Sequence, residues 1–133
     1  MGIIQHIAFN CLNIKKQEAF YTKHFGFRRA RVFNPGTANE FVMLRLGNTR
    51  IELFSTAHDT EAIGHEQLVG FKHLAFEVPD LDETIAKLQA DGIQTEQIID
   101  CSEIVSGMRV CFFNDPEGNR LELMQGYQDE FTD

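Results

Sequence analysis

Four residues have types and spacings that could do chemistry. His6 in QHIAFNCLNI (5–14) is matched by His73 in KHLAFEVPDL (72–81), 67 positions later, and Ala8 and Phe9 are matched there by Ala75 and Phe76. Glu52 in TRIELF (49–54) is matched by Glu122 in NRLELM (119–124), 70 positions later, with Arg50 and Leu53 answering to Arg120 and Leu123. Imidazole and carboxylate are donors for a divalent cation. Two of each would fill four places of an octahedral site and leave two for water or substrate. Imidazole suits Zn, Ni, Co and Fe, and the carboxylate oxygens also admit Mn. Taken singly, a strand His is an ordinary hydrogen-bonded residue and a strand Glu is solvated or ion-paired. Four of them at matched positions in two copies favour a metal site made by His6, Glu52, His73 and Glu122.

The two matches occur in the same order, so the chain contains a duplicated module, and two copies are too few for a solenoid. Each copy reads as strand, helix and three strands. In the first, 3–11 alternates as a strand, 14–25 is helical and closed by Gly26, and strands follow near 27–33, 39–46 and 49–55. In the second, 71–78 is a strand and 80–91 a helix with Asp80 or Asp82 as its N-cap and Gly92 at its end. Strands near 94–100, 107–114 and 119–125 complete it, the last two joined by the turn NDPEGN (114–119). The expected organisation is one domain over 1–133: module one at 3–55, a polar linker at 56–70, module two at 71–125 and an acidic tail at 126–133.

Strand parity assigns faces, because successive side chains alternate sides. His6, Ala8 and Asn10 share one side, and Ile7, Phe9 and Cys11 the other. His73, Ala75 and Glu77 oppose Leu74, Phe76 and Val78. Arg50, Glu52 and Phe54 oppose Ile51 and Leu53, as Arg120, Glu122 and Met124 oppose Leu121 and Leu123. The apolar faces can pack on each module's helix, which leaves one His and one Glu mid-strand on each opposite face. The expectation is an α+β fold of duplicated βαβββ modules forming a curved mixed sheet with a central cavity.

Composition sets the bounds. The formal charge is −8, from 12 Lys plus Arg against 20 Asp plus Glu, which disfavours nucleic acid and anionic membrane surfaces as partners. With 43% hydrophobic residues and 12 Phe, the chain can bury a sizeable core. Cys11, Cys101 and Cys111 read as small core hydrophobes in a reducing compartment. The N-terminal residues MGIIQHIAFN lack a secretory pattern, and His6 breaks the myristoylation pattern. No apolar run nears the roughly 18 residues of a membrane span, so the expected address is the cytoplasm.

Other polar residues read as ordinary. His24 falls in the last turn of the first helix, where positive charge is welcome, and His58 and His65 fall in the linker. Arg28, Arg29 and Arg31 read as an exposed face offsetting nearby acids. Phe41, Met43, Phe54, Phe112 and Met124 are core or cavity wall. Residues 106–109 could approach a ligand or merely turn.

The duplication, the HIAF and HLAF strands, and DPEGNRLEL (115–123) resemble the vicinal oxygen chelate superfamily, which includes glyoxalase I, methylmalonyl-CoA epimerase, fosfomycin-resistance transferases, bleomycin-resistance proteins and extradiol dioxygenases. The resemblance covers residues 3–125 and puts His6, Glu52, His73 and Glu122 on the four metal-ligand places of the glyoxalase I branch. It implies one divalent metal ion per site and a small-molecule substrate. It also implies a homodimer, with sites built within one chain or across two. The function implied is a glyoxalase I-like lyase or isomerase, moving a proton on a small carbonyl or thioester compound through an enediolate or enolate. Glu122, and secondly Glu52, would act as base. The alternatives are a methylmalonyl-CoA epimerase-like enzyme, whose branch often has Gln where this chain has Glu52, and a non-catalytic drug or metabolite binder of the bleomycin-resistance kind, whose branch usually lacks the metal residues. The glutathione-contacting Arg and Asn of glyoxalase I would fall near Asn10 and Thr56, and neither matches.

Overall fold

The computed structural model describes residues 1–59 and 69–131. The chain divides into two compact units, Met1–Glu61 and Ala62–Asp133. In the first, β1 (Ile7–Cys11), α1 (Ile14–Phe25), β2 (Arg28–Phe33), β3 (Phe41–Leu46) and β4 (Thr49–Ser55) form a sheet of order β1-β4-β3-β2 with the helix against β3 and β4. In the second, β5 (Leu74–Glu77), α2 (Leu81–Ala90), β6 (Ile99–Asp100), β7 (Arg109–Asn114) and β8 (Arg120–Gln125) repeat the order as β5-β8-β7-β6, with α2 against β7 and β8. The first strand of each sheet runs parallel to the fourth, and the remaining pairs are antiparallel. The α+β duplication of βαβββ units is thus realised as one four-stranded mixed sheet per unit.

Local chemistry accounts for the helices. The Asn13 side chain accepts a 3.0 Å bond from the Lys16 amide, and Gly26 closes α1 at φ 76°, a left-handed conformation that glycine adopts without a Cβ clash. In α2 it is Asp80, of the two candidate caps, that accepts from the Glu83 amide at 3.0 Å, while Asp82 and Glu83 add negative charge to the first turn. Each helix buries an apolar stripe on its own sheet. Phe20 and Tyr21 lie over Leu44, Ile51 and Leu53 in the first unit, and Leu81, Ile85 and Leu88 join Cys111, Phe113, Leu121 and Leu123 in the second. No helix among the described residues is long and apolar enough to cross a membrane.

Three expectations shift. β1 begins at Ile7 and β5 at Leu74, so His6 and His73 stand at strand entrances rather than mid-strand. With Ile7 opposite Ile51 in a parallel pair, the chain ahead of Gln5 runs past the start of β4 at Thr49 and has no ladder to join. The strand expected over 94–100 survives as β6 and one isolated bridge, Thr95 with Phe113. Cys11 and Cys111 are buried, but Cys101 is only half-buried, because it follows β6 at the sheet's edge. Burial raises the Cys111 thiol pKa above the ordinary value, as desolvation penalises a thiolate.

The turn between β7 and β8 is organised by one buried carboxylate. Asp115 accepts from the Glu117 amide (2.9 Å), the Asn119 amide (2.9 Å) and Asn119 Nδ2 (2.8 Å). Asp115→Ala strands these donors and is expected to cost about 2–3 kcal/mol, read as a lower urea midpoint at unchanged slope. A loss under about 0.5 kcal/mol would show that water replaces the carboxylate there. Ahead of β7, the Gly107 carbonyl packs where a Cβ on Gly126 (φ 88°) would sit, so Gly107 and Met108 are packed closely against Gly126, and Arg109 opens β7.

Candidate metal centre

In the first unit the register sets Ala8 beside Glu52 and Glu52 beside Met43. His6, one step ahead of β1, reaches diagonally to Glu52, with Nε2 2.9 Å from Oε1. The Glu52 side chain is 11% exposed and that of His6 41%, so a covered carboxylate meets an imidazole open to solvent. Gln5 Oε1 faces the other ring nitrogen, Nδ1. Both nitrogens of His6 therefore face oxygen acceptors, and a neutral imidazole has one proton to give. Nε2–H can donate to Glu52, and a divalent cation held between Nε2 and Oε1 would take the place of that proton.

The second unit repeats the pair. His73 Nε2 lies 2.8 Å from Glu122 Oε2, with side chains 26% and 12% exposed. Ala75 and Phe112 flank Glu122 across the sheet, the places of Ala8 and Met43 in the first unit. Phe112 meets the His73 ring edge-on at 5.3 Å. Arg120 lies 4.4 Å over the Phe112 ring and binds Glu96 through both terminal nitrogens, at 2.7 and 3.1 Å. This stack limits the rotation of His73. On the corresponding face of the first unit, Phe33, Phe41 and Phe54 stack across three strands at 4.5 and 4.2 Å.

Each unit thus brings together one of the two His–Glu pairs that the sequence marks. Among the described residues no three His, Cys, Asp or Glu side chains gather in one place, so each pair supplies two donors. One nitrogen and one carboxylate oxygen per pair, already at hydrogen-bonding distance and largely shielded at the carboxylate, fit a first-row divalent cation in donor type. The remaining candidates lie elsewhere. His24 packs on Phe20 at the end of α1, His58 is exposed, and His65 lies outside the described residues. Arg29 binds Glu18 on α1, which raises its pKa, and Arg31 lies 5.7 Å from the Phe33 ring centre. Phe41, Met43, Phe54, Phe112 and Met124 are all half-buried and share the Glu-bearing faces. Sequence reasoning misses Gln5, Phe112 as the support of His73, and the Arg120–Glu96 pair. Only Gln5 left a signal, as a polar neighbour of His6 that the second copy replaces with Lys72.

Comparison with known proteins agrees with this architecture. The sequence model of the Glyoxalase/Bleomycin resistance protein/Dioxygenase superfamily matches residues 3–123. The protein YwkD of Bacillus subtilis (strain 168) is 35% identical over 124 residues, 92% of this chain and 95% of that one. The crystal structure of a glyoxalase family protein from Enterococcus faecalis superposes with a TM-score of 0.75 at 32% identity, covering 92% of this chain and 96% of that one. The fosfomycin resistance protein FosX from Listeria monocytogenes, crystallised with Mn(II) and sulfate, shares the fold at a TM-score of 0.73 and 17% identity, over 98% and 97% of the two chains. Duplicated βαβββ units, matched His–Glu pairs and these likenesses converge: the chain belongs to the glyoxalase/bleomycin resistance protein/dioxygenase superfamily.

Proposed function

We propose that this protein is a metal-dependent lyase or isomerase of the glyoxalase type, moving a proton at the carbon beside a carbonyl or thioester group of a small substrate. The observation that carries the reading is the repetition of one His–Glu pair, at 2.9 and 2.8 Å, at matched positions of both units. His6, Glu52, His73 and Glu122 together would hold one divalent cation, in a protein that acts as a homodimer in a reducing, cytoplasmic setting. Bound there, the cation supplies Lewis acidity to a substrate oxygen and so acidifies the neighbouring carbon. The FosX crystal contains Mn(II), so the fold can carry such an ion.

The chain's own residues then divide the work. His6 and His73 stay fixed, the first through Gln5 and the second against Phe112. Glu122 accepts the proton from carbon and Glu52 is the second base, each partly shielded from water. The cheapest test is solvent exchange. Metal-loaded protein in D2O is expected to place deuterium on the reacting carbon of either methylglyoxal hemithioacetal or a methylmalonyl thioester, seen by proton NMR. Purified protein should also carry metal in stoichiometric amount. Absence of both metal and exchange would overturn the enzyme reading in favour of a binding protein.

A further inference from the structure

The same sheet face that bears Glu52 carries a row of arginines. Arg28 on β2 pairs across the ladder with Arg45 on β3, and Arg45 with Arg50 on β4. Side chains at directly opposed positions share a face, with Cβ atoms about 5 Å apart, so three guanidinium groups line one transverse row. Like charges so placed repel and destabilise a sheet. Elsewhere Arg29, Arg109 and Arg120 each bind a carboxylate. Among the described residues, Arg28, Arg45 and Arg50 have no ion pair. Three uncompensated cations in register, in a chain of net charge −8, form a local positive island that folding alone does not explain.

The neighbouring rows give the island a direction. Two residues along the strands comes the row of Ala8, Glu52, Met43 and Arg31, and two further on that of Asn10, Phe54, Phe41 and Phe33. Two residues of strand span ~7 Å. The face therefore runs from guanidinium groups, through the Glu52 carboxylate, to a stacked aromatic floor.

We propose that Arg28, Arg45 and Arg50 form an anion site that takes a compact oxyanion (phosphate, phosphonate or carboxylate) of the substrate. The reacting carbon would then stand near Glu52 and the apolar part over the Phe33–Phe41–Phe54 stack. Assigning the anion to the substrate rests on the proposed function, whereas the anion site rests on the first unit alone. Charge-assisted hydrogen bonds from forked guanidinium groups suit such an ion, and its charge relieves their mutual repulsion.

The test is calorimetric titration of the full chain, freed of metal so that phosphate cannot report a cation, with inorganic phosphate at low ionic strength. Saturable binding is expected, weakened about tenfold by Arg45→Gln and by Arg50→Gln and unchanged by Arg29→Gln, whose guanidinium engages Glu18 on the helix side. Arg45→Gln should also raise the thermal midpoint without phosphate. Methylphosphonate and acetate arms name the ion: preference for methylphosphonate supports a tetrahedral group and preference for acetate a carboxylate. Equal phosphate affinity in wild type and both row variants overturns the site. So does a change in assembly mass on Arg45→Gln with affinity intact, which would make the row a contact between copies. Metal content of each preparation before the metal is stripped, and metal uptake on adding it back, separate the two readings. Metal retained without phosphate binding removes the anion site alone, and phosphate binding without metal uptake removes the metal-enzyme reading alone.

Discussion

His73→Ala is expected to abolish stoichiometric metal in the purified protein and to weaken Mn(II) or Zn(II) binding by a factor on the order of 10² or more. Affinities of about 10–16 kcal/mol for four-ligand protein sites leave roughly 3 kcal/mol per ligand, which sets that factor. His6→Ala should lose a similar amount, because the two imidazoles stand in equivalent places of equivalent units, each within 2.9 Å of its carboxylate. This parity distinguishes a shared cation from a chance ion at one unit, where one variant would lose metal and the other keep it. Elemental analysis of chelator-free preparations and titration of the metal-free protein read the result. Metal retained by both variants would sink the four-ligand assignment. Neither substitution should unfold the chain, since both imidazoles lie at strand entrances, outside the apolar cores.

Glu122→Gln should separate chemistry from binding. The amide keeps the shape of the side chain and one oxygen donor, but it cannot accept a proton from carbon. A positioned general base contributes ~10²–10⁴-fold, so deuterium exchange on the active substrate should fall by that range. Metal affinity should fall far less than in His73→Ala. The nearby guanidinium does not confuse the result: Arg120 is held by Glu96 at 2.7 and 3.1 Å, so losing the Glu122 charge leaves no orphaned cation. Glu52→Gln tests the second base. If exchange persists at wild-type rate in Glu122→Gln and disappears in Glu52→Gln, the two roles are reversed. If it persists in both, neither carboxylate is the base.

What the sequence could determine lay within short reach or within the repeat. α1 runs over Ile14–Phe25 as expected, since its signals, Asn13 and Gly26, act within a few residues of the helix ends. Alternation put Ile51 and Leu53 in the core and Arg50, Glu52 and Phe54 on the other face, because a strand side chain's side follows from the backbone pleat alone. Duplication carried the argument from Glu52 to Glu122 and from His6 to His73.

Everything that depends on which strand lies beside which needed the fold. How far a ladder could extend ahead of β1 is bounded by where β4 begins, some forty residues away in the chain. Phe112 supports His73, and Gln5 orients His6, only after β8 and β4 have brought the carboxylates alongside. The arginines show it most clearly. In sequence, Arg28, Arg29 and Arg31 read as one cluster. Alternation after Arg28 instead puts Arg29 on the helix side, where it meets Glu18. The irregularity between Arg29 and Arg31 returns Arg31 to the Glu52 face beside Met43, and the ladder sets Arg28 in line with Arg45 and Arg50. Caps and pleats are local consequences of backbone geometry. Register is fixed by hydrogen bonds and packing between distant segments, so which charges become neighbours is decided only when the sheet closes.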